Sequence, residues 1–240
     1  MLDFTNPKQL TLGTFLGMGA PMAAEIAAVG GADWVLLDLE HGGGSEDLIG
    51  PTVVAGMAYG IPTLVRVESQ DRIRIGRALD AGASGVMIPR IETPEQVSAV
   101  VKHMSYPPFG DRGVATYNRS AKWGRDLSGL TEKSKAACII QIETLKALEN
   151  VDAIAKIDGA DLLWIESPTN PSLDVADMPT LIKEAKSRGI TVAVDNTFAT
   201  ALVQKPLSLG ADIVMNSVTK YLAGHSDVIL GSLSTNSPVH

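Results

Sequence analysis

Short apolar runs rich in β-branched residues alternate with stretches of helical period along the chain, and this alternation most constrains the fold. Most runs follow Gly-Ala or Gly-Ile, where a helix would end and a strand begin. We predict eight strands, at 10–16, 34–39, 61–67, 85–90, 137–143, 162–167, 191–196 and 212–217. Near-continuous apolar strands with amphipathic spacers are typical of a parallel sheet covered by helices. The sequence therefore predicts an α/β fold, a (β/α)8 barrel of TIM type, as a single domain over 1–240.

Composition favours a globular protein that binds a small molecule. The 240 residues are 45% hydrophobic and carry a net charge of −7, without a dense run of Lys or Arg, which argues against nucleic acid or membrane as a partner. The single cysteine, Cys138, excludes an internal disulfide, and the first residues lack the pattern of a signal peptide. We expect a cytoplasmic protein, and the sequence leaves open a homo-oligomer.

The connection between the fourth and fifth strands is much longer than an ordinary loop. Residues 104–135 include "YPPFGDRGVATYNRSAKWGRDLSGL" before the next apolar run begins. Long connections in compact domains are often functional or lie at an interface. We predict one of these roles for this segment.

Polar residues follow several predicted strands at their C-terminal ends, where the active sites of barrel enzymes lie. Strand two ends with Asp38, Glu40 and His41, strand three carries Arg66, and strand five ends at Glu143. These side chains offer a base, a cation and a hard oxygen ligand. Each also has a structural interpretation, as a solvated glutamate, an ion-paired arginine or a helix-capping histidine.

Several ordered segments carry a family resemblance. The strings "GADWVLLDLEHG", "LVRVES", "RALDAGASGVMIPRIETPEQV", "YPPFGDRGVA" and "IIQIETLKALENVDAIAKIDG" resemble the metal-dependent class II pyruvate aldolases, which include 4-hydroxy-2-oxoheptanedioate and 2-keto-3-deoxy sugar-acid aldolases. The resemblance covers about residues 10–160. It implies a Mg²⁺, Mn²⁺ or Co²⁺ ion held partly by Glu143, with Arg66 beside the keto oxygen of pyruvate. It also implies that His41 is the base and that Asp38 orients it.

The sequence departs from that family just after strand six. The family has a Gly-Pro followed closely by an aspartate that binds the metal, whereas this chain reads "WIESPTNPS" and places Asn170 near that position. A neutral amide oxygen is a weaker ligand for a divalent ion than a carboxylate. Glu166 could substitute from a different angle. The sequence therefore predicts weak metal binding.

Residues 162–231 resemble the large domain of the cystathionine γ-synthase and methionine γ-lyase family, which uses pyridoxal phosphate (PLP). The string "NSVTKYLAGHSDVILG" resembles the lysine loop of that family, and "VDNTF" precedes it. The resemblance implies that Asp195 pairs with the pyridinium nitrogen, that Ser217 and Thr219 hold the phosphate, and that Lys220 binds the cofactor. The ring-stacking tyrosine, a phosphate-binding turn and the C-terminal domain of that family have no counterpart in this sequence.

Together the two resemblances indicate a chimera, with an aldolase-like part over 1–160 that gives strands one to five and a PLP-enzyme-like part over 161–240 that gives strands six to eight. The sequence favours an engineered barrel scaffold without a complete active site. The alternative is a weakened metal-dependent lyase that cleaves 4-hydroxy-2-oxo acids. A PLP-binding protein that uses Lys220 is the third hypothesis. For the tail after strand eight, the second resemblance implies an antiparallel edge strand, whereas a barrel would place a helix there.

Overall fold

A computed structural model describes residues 12–170, 172–225, 227 and 231–236 of the chain. The described residues form two compact units, one of 12–89 with 95–139 and the other of 90–94 with 140–236. The division falls within a strand and not at the 160/161 junction between the two resemblances. A single domain over 1–240 stays a prediction.

The first unit alternates strands and helices. Its elements are β1 (Gly13–Leu16), α1 (Met22–Val29), β2 (Trp34–Asp38), α2 (Ile49–Ala58), β3 (Thr63–Arg66), α3 (Arg72–Asp80), β4 (Gly85–Ile88) and, apart from its first residue, α4 (Pro94–Met104). Strands β1 to β4 pair in sequence order, and every pair is parallel. Their C-terminal ends therefore lie at the same edge of the sheet.

Hydrophobic burial explains these elements. All five residues of β2 are buried, as expected for a strand that is covered on both faces. In α3 the buried residues are Ile75, Ala78 and Leu79, whose spacing of three and four places them on one helical face. Leu16, Val35 and residues from α1 and α2 form one cluster of this core.

The second unit follows the same scheme. Strand β5 (Ala137–Ile142) begins in the first unit and ends in the second. The further elements are α5 (Leu145–Glu149), α6 (Val151–Ile154), β6 (Leu162–Glu166), α7 (Met178–Ser187), β7 (Thr191–Asp195), α8 (Thr200–Val203), β8 (Ile213–Ser217) and β9 (Gly231–Ser234). Strands β6, β7 and β8 pair in parallel, and β9 pairs antiparallel with β8.

The structure confirms all eight predicted strands, each within the predicted bounds. Residues 10 and 11 of the first predicted strand lie outside the described part of the chain. Of the two alternatives for the tail, the antiparallel edge strand is the one observed, as β9.

The long connection before β5 contains only two short 3-10 turns, Lys122–Gly124 and Ser128–Leu130, between α4 and β5. It belongs wholly to the first unit. Within the described ranges, none of the helices combines the length and the apolar character needed to span a bilayer.

Candidate active site

The parallel register of β2 and β3 brings two predicted site residues together. Asp38 and Arg66 are register partners at the C-terminal ends of these strands. The guanidinium donates from Nε to Asp38 Oδ1 at 2.8 Å and from Nη2 to Asp38 Oδ2 at 2.6 Å. Both side chains are largely buried, with 12% of Arg66 and 9% of Asp38 exposed. This bidentate geometry fixes the plane of the guanidinium.

Asp38 is held in its ionised form. Burial alone would raise the pKa of the carboxyl, but the hydrogen bonds and the charge of Arg66 outweigh it. The backbone N–H groups of Glu40 and His41 also donate to Oδ1, at 3.0 and 3.2 Å. The pKa of Asp38 therefore lies below its usual range.

A second carboxylate, Glu40, completes the surroundings of Arg66. Its Oε2 lies 3.1 Å from Arg66 Nη1, and the guanidinium carbon lies 5.4 Å from the centroid of the Phe15 ring. The sequence places Glu40 among the polar residues at a strand end, without a role. Its place two residues after Asp38, directly before His41, is the signal that could have assigned it one.

The His41 side chain lies against Glu40. Its imidazole is 74% exposed, and Nε2 lies 3.7 Å from Glu40 Oε2. Asp38 contacts the backbone N–H of His41, and its described hydrogen bonds do not include the imidazole. The geometry thus offers Glu40, beside the predicted Asp38, as the residue that orients the ring.

The predicted metal ligands Glu143 and Asn170 belong to the second unit. Glu143 Oε1 accepts from the backbone N–H of Arg90 at 2.8 Å, and Oε2 accepts from Gln141 Nε2 at 3.1 Å. Asn170 is exposed just after β6. Among the described residues, no group of three His, Cys, Asp or Glu side chains is arranged to hold a metal.

Asp195, at the end of β7, is a mostly buried carboxylate. Its Oδ1 accepts from Thr197 N at 3.0 Å and from Thr197 Oγ1 at 2.6 Å. Burial raises the pKa of this carboxyl, and the two hydrogen bonds from Thr197 oppose the rise only in part. No Lys, Arg or His of the described segments forms an ion pair with it.

Thr197 connects Asp195 with the predicted phosphate-binding loop. Ser217 N donates to Thr197 Oγ1 at 2.8 Å, and Lys220 N donates to Ser217 O at 3.0 Å. Thr219 is half-buried and Lys220 is exposed. The rings of Phe198 and Tyr221 meet edge to face, with centroids 5.9 Å apart. Sequence reasoning did not single out Thr197.

Comparison with known proteins assigns the family. The family model described as HpcH/HpaI aldolase/citrate lyase matches residues 11–167. A 4-hydroxy-2-oxovalerate aldolase of Novosphingobium aromaticivorans is 34% identical over 224 residues, which is 88% of this chain and 84% of that protein. The chain belongs to the HpcH/HpaI aldolase/citrate lyase family.

Two further similar proteins support this assignment. A 2-keto-3-deoxy-L-rhamnonate aldolase of Klebsiella pneumoniae is 37% identical over 156 residues, 64% of this chain and 58% of that protein. The crystal structure of an HpcH/HpaI aldolase/citrate lyase family protein from Burkholderia cenocepacia superposes with a TM-score of 0.73. That pair is 29% identical, and the match covers 83% of this chain and 85% of the other. The predicted fold class, an α/β barrel of TIM type, is confirmed.

A second family model matches the C-terminal part of this HpcH/HpaI chain. The model described as a Cys/Met metabolism PLP-dependent enzyme covers residues 128–240. The two family models thus confirm both resemblances seen in the sequence. Their matches overlap between residues 128 and 167. The alignment with the Novosphingobium aldolase covers too much of the chain to end at residue 160, so similarity to aldolases continues into the second part.

The residues present fit the two implied cofactors unequally. Glu143 and Asn170 offer hard oxygen donors of the type that divalent ions prefer, but with one negative charge in place of two. Asp195 is a mostly buried carboxylate that forms no ion pair with a described Lys, Arg or His, so its charge is available to a protonated pyridine nitrogen. Both sets fit their group in part.

The isolated charge of Asp195 predicts a stabilising substitution. We expect Asp195→Asn to raise the free energy of unfolding at pH 7 by about 0.5–2 kcal/mol, because Asn keeps the acceptor for Thr197 and removes an unpaired buried charge. A raised folded-state pKa means that the aspartate stabilises the fold best below its unfolded pKa of about 4, and that this contribution is lost as the pH rises. The gain measured by urea unfolding should therefore vanish near pH 3. Equal stability of both proteins at pH 7 would contradict the prediction.

Proposed function

We propose that this chain is a carbon–carbon lyase of the pyruvate-aldolase type, with a weakened divalent-metal site, that cleaves 4-hydroxy-2-oxo acids. The observation that carries the proposal is the guanidinium of Arg66, fixed at the C-terminal end of β3 by Asp38 and Glu40. Family membership supports the reaction class, and the relatives named above include aldolases of 2-oxo acids.

Retro-aldol cleavage requires a positive group beside the oxygen that becomes the enolate oxygen of pyruvate. Base removal of the 4-hydroxyl proton breaks the bond between C3 and C4, and the electron pair remains on the pyruvate fragment as an enolate. Arg66 supplies a fixed cation for the developing enolate oxygen. His41, beside Glu40, accepts the hydroxyl proton and can return it to C3.

The proposed metal ligands are Glu143 and Asn170, with Glu166 as the alternative to Asn170. A bound Mg²⁺, Mn²⁺ or Co²⁺ would supply Lewis acidity at the pyruvate oxygens. Since Asn170 contributes no charge, we expect weak affinity and slow turnover. Arg66 binds and orients the oxo acid, and His41 moves the proton.

A retro-aldol assay tests this proposal. Release of pyruvate from 4-hydroxy-2-oxovalerate should be slow with Mn²⁺, abolished by chelator and restored by excess metal. Arg66→Lys should lower kcat/KM by about 100-fold or more, because an ammonium cannot keep the bidentate geometry.

Arg74→Lys is the matched control, since Arg74 is 45% exposed and pairs with Glu46 at 2.7 Å. It should leave kcat/KM within about twofold. Turnover that persists in chelator, or that Arg66→Lys and Arg74→Lys change equally, would refute the proposal.

A second candidate is an engineered chimeric scaffold without a complete active site. It is favoured by the match of 128–240 to a PLP-enzyme model on a chain that belongs to an aldolase family, together with the absence of a charged ligand at Asn170. A displacement of about half an ångström is enough to disable a catalytic group, and the proposed junction between residues 160 and 161 lies close to Asn170 in the sequence. A cooperatively folded chain without metal-dependent turnover would support it.

PLP binding through Lys220 is the third candidate, and the unpaired Asp195 is the observation in its favour. Ser217 and Thr219 would hold the phosphate. When bound, PLP would act as an electron sink. The Asp195→Asn variant also tests this candidate. A stoichiometric PLP-dependent visible absorbance should shift in that variant and disappear in Lys220→Ala, whereas PLP attached to surface lysines would respond to neither.

A further inference from the structure

A cavity of about 240 Å³ lies beneath the long connection between α4 and β5, apart from Asp38, Glu40 and Arg66. Leu79 and Ala83 form one side, and residues between 104 and 136 form the rest. It lies wholly within the first unit. Its volume is below the range of drug-sized sites, so it suits a ligand of few atoms.

A buried arginine lines this cavity. Arg112 is 6% exposed, and its Nη2 donates to Asp80 Oδ1 at 2.5 Å and to Ser120 Oγ at 3.1 Å. Its guanidinium carbon stacks 4.5 Å from the centroid of the Tyr106 ring. These contacts fix the plane of the guanidinium from three sides.

One N–H of this fixed group has no acceptor. Arg112 Nε is buried and makes no hydrogen bond within the part of the chain that the structure describes. A buried donor without an acceptor destabilises the fold, because it has lost its hydrogen bond to water. An anionic oxygen is the strongest acceptor for this single N–H, because a hydrogen bond between two charged groups is stronger than one between neutral groups.

The other charges around the cavity also favour an anion. Its charged lining residues are Arg112, Lys133, Lys135, Asp126 and Glu132. Arg112 pairs with Asp80, Lys135 pairs with Glu132 at 2.6 Å, and Asp126 pairs with Lys122 at 2.9 Å. Lys133 forms no ion pair with any of the described residues. The cavity lining therefore carries one uncompensated charge, which is positive.

The remaining lining suits a small organic anion. The lining includes the hydroxyl groups of Ser105, Ser120, Ser128 and Thr116 together with Leu79 and other apolar side chains. We propose that this cavity binds a small molecule bearing a phosphate or carboxylate group, through Arg112 and Lys133. The long connection then has a ligand-binding role that the proposed aldolase chemistry does not use.

Titration of the ¹⁵N-labelled full chain tests this proposal at constant ionic strength. The probes are inorganic phosphate and, separately, butyrate, and the signal is the Arg112 Nε–H resonance, assigned by its loss in Arg112→Lys. We expect a saturable shift with at least one probe. A response to phosphate alone identifies a phosphoryl ligand, a response to butyrate alone a carboxylate, and a response to both an oxyanion in general.

Lys133→Ala provides a second test of the proposal and leaves the buried Arg112 unchanged. It should weaken binding of the responding probe at least threefold, because it removes the unpaired cation. Lys183→Ala removes the same charge from an exposed position on α7 and should leave the affinity unchanged. The proposal is overturned if neither probe shifts the resonance, or if Lys133→Ala and Lys183→Ala have equal effects.

Discussion

Asp38→Ala should lower the free energy of unfolding by about 3–5 kcal/mol at pH 7, because it leaves the largely buried Arg66 without its bidentate partner. Glu40 remains 3.1 Å from Nη1 and should keep the loss toward the lower end of that range. The measurement is denaturant unfolding followed by circular dichroism. The variant should also lose aldolase turnover, since the plane of the Arg66 guanidinium is no longer fixed.

The pH dependence of this loss follows from the lowered pKa of Asp38. A depressed folded-state pKa gives stability that is present above the unfolded pKa of about 4 and is lost as the pH falls through the folded pKa. The difference between parent and variant should therefore be largest near neutral pH and shrink in acid. Asp47→Ala is the control, because Asp47 is exposed and its described contact is with the Ser45 hydroxyl. This substitution should lower the free energy of unfolding by about 0.5 kcal/mol or less. A loss in Asp38→Ala no larger than the control's would show that the ion pair contributes little.

Asn170→Asp should tighten Mn²⁺ binding by about tenfold or more, because a carboxylate replaces a neutral amide among hard oxygen ligands. Isothermal titration with Mn²⁺ gives the dissociation constant, and the retro-aldol assay shows whether the tighter ion raises turnover. Both should move in the same direction if the proposed aldolase function is correct.

The matched control for this substitution is Asn236→Asp, which adds the same charge at an exposed position after β9. It separates coordination from a general attraction of cations to a more acidic protein. If both variants tighten Mn²⁺ equally, or neither does, Asn170 is not at the metal site. Tight binding and fast cleavage by the unmodified chain would instead contradict the weakened site itself.

Strand positions were readable from the sequence because they depend on local burial. In β2, five consecutive buried residues leave no alternation, and the Gly-Ala that precedes the strand marks its start. The same holds for β6 and β7, in each of which the first four residues are buried without alternation. The tail left two alternatives open, because the PLP-enzyme resemblance implies an edge strand there, whereas a barrel would place a covering helix at that point.

Residue types and their order along the chain determined the family, the eight strands and the places of Asp38 and Arg66 at the C-terminal ends of neighbouring strands, since parallel strands share a direction. Only the tertiary structure decided which side chains meet across segments that are distant in sequence. It placed Glu40 against both Arg66 and His41, and it left Asp195 buried with hydrogen bonds from Thr197. It also enclosed Arg112 beneath a connection whose sequence shows no periodicity. Burial and hydrogen-bond geometry depend on how the chain packs in three dimensions, and no local pattern encodes them.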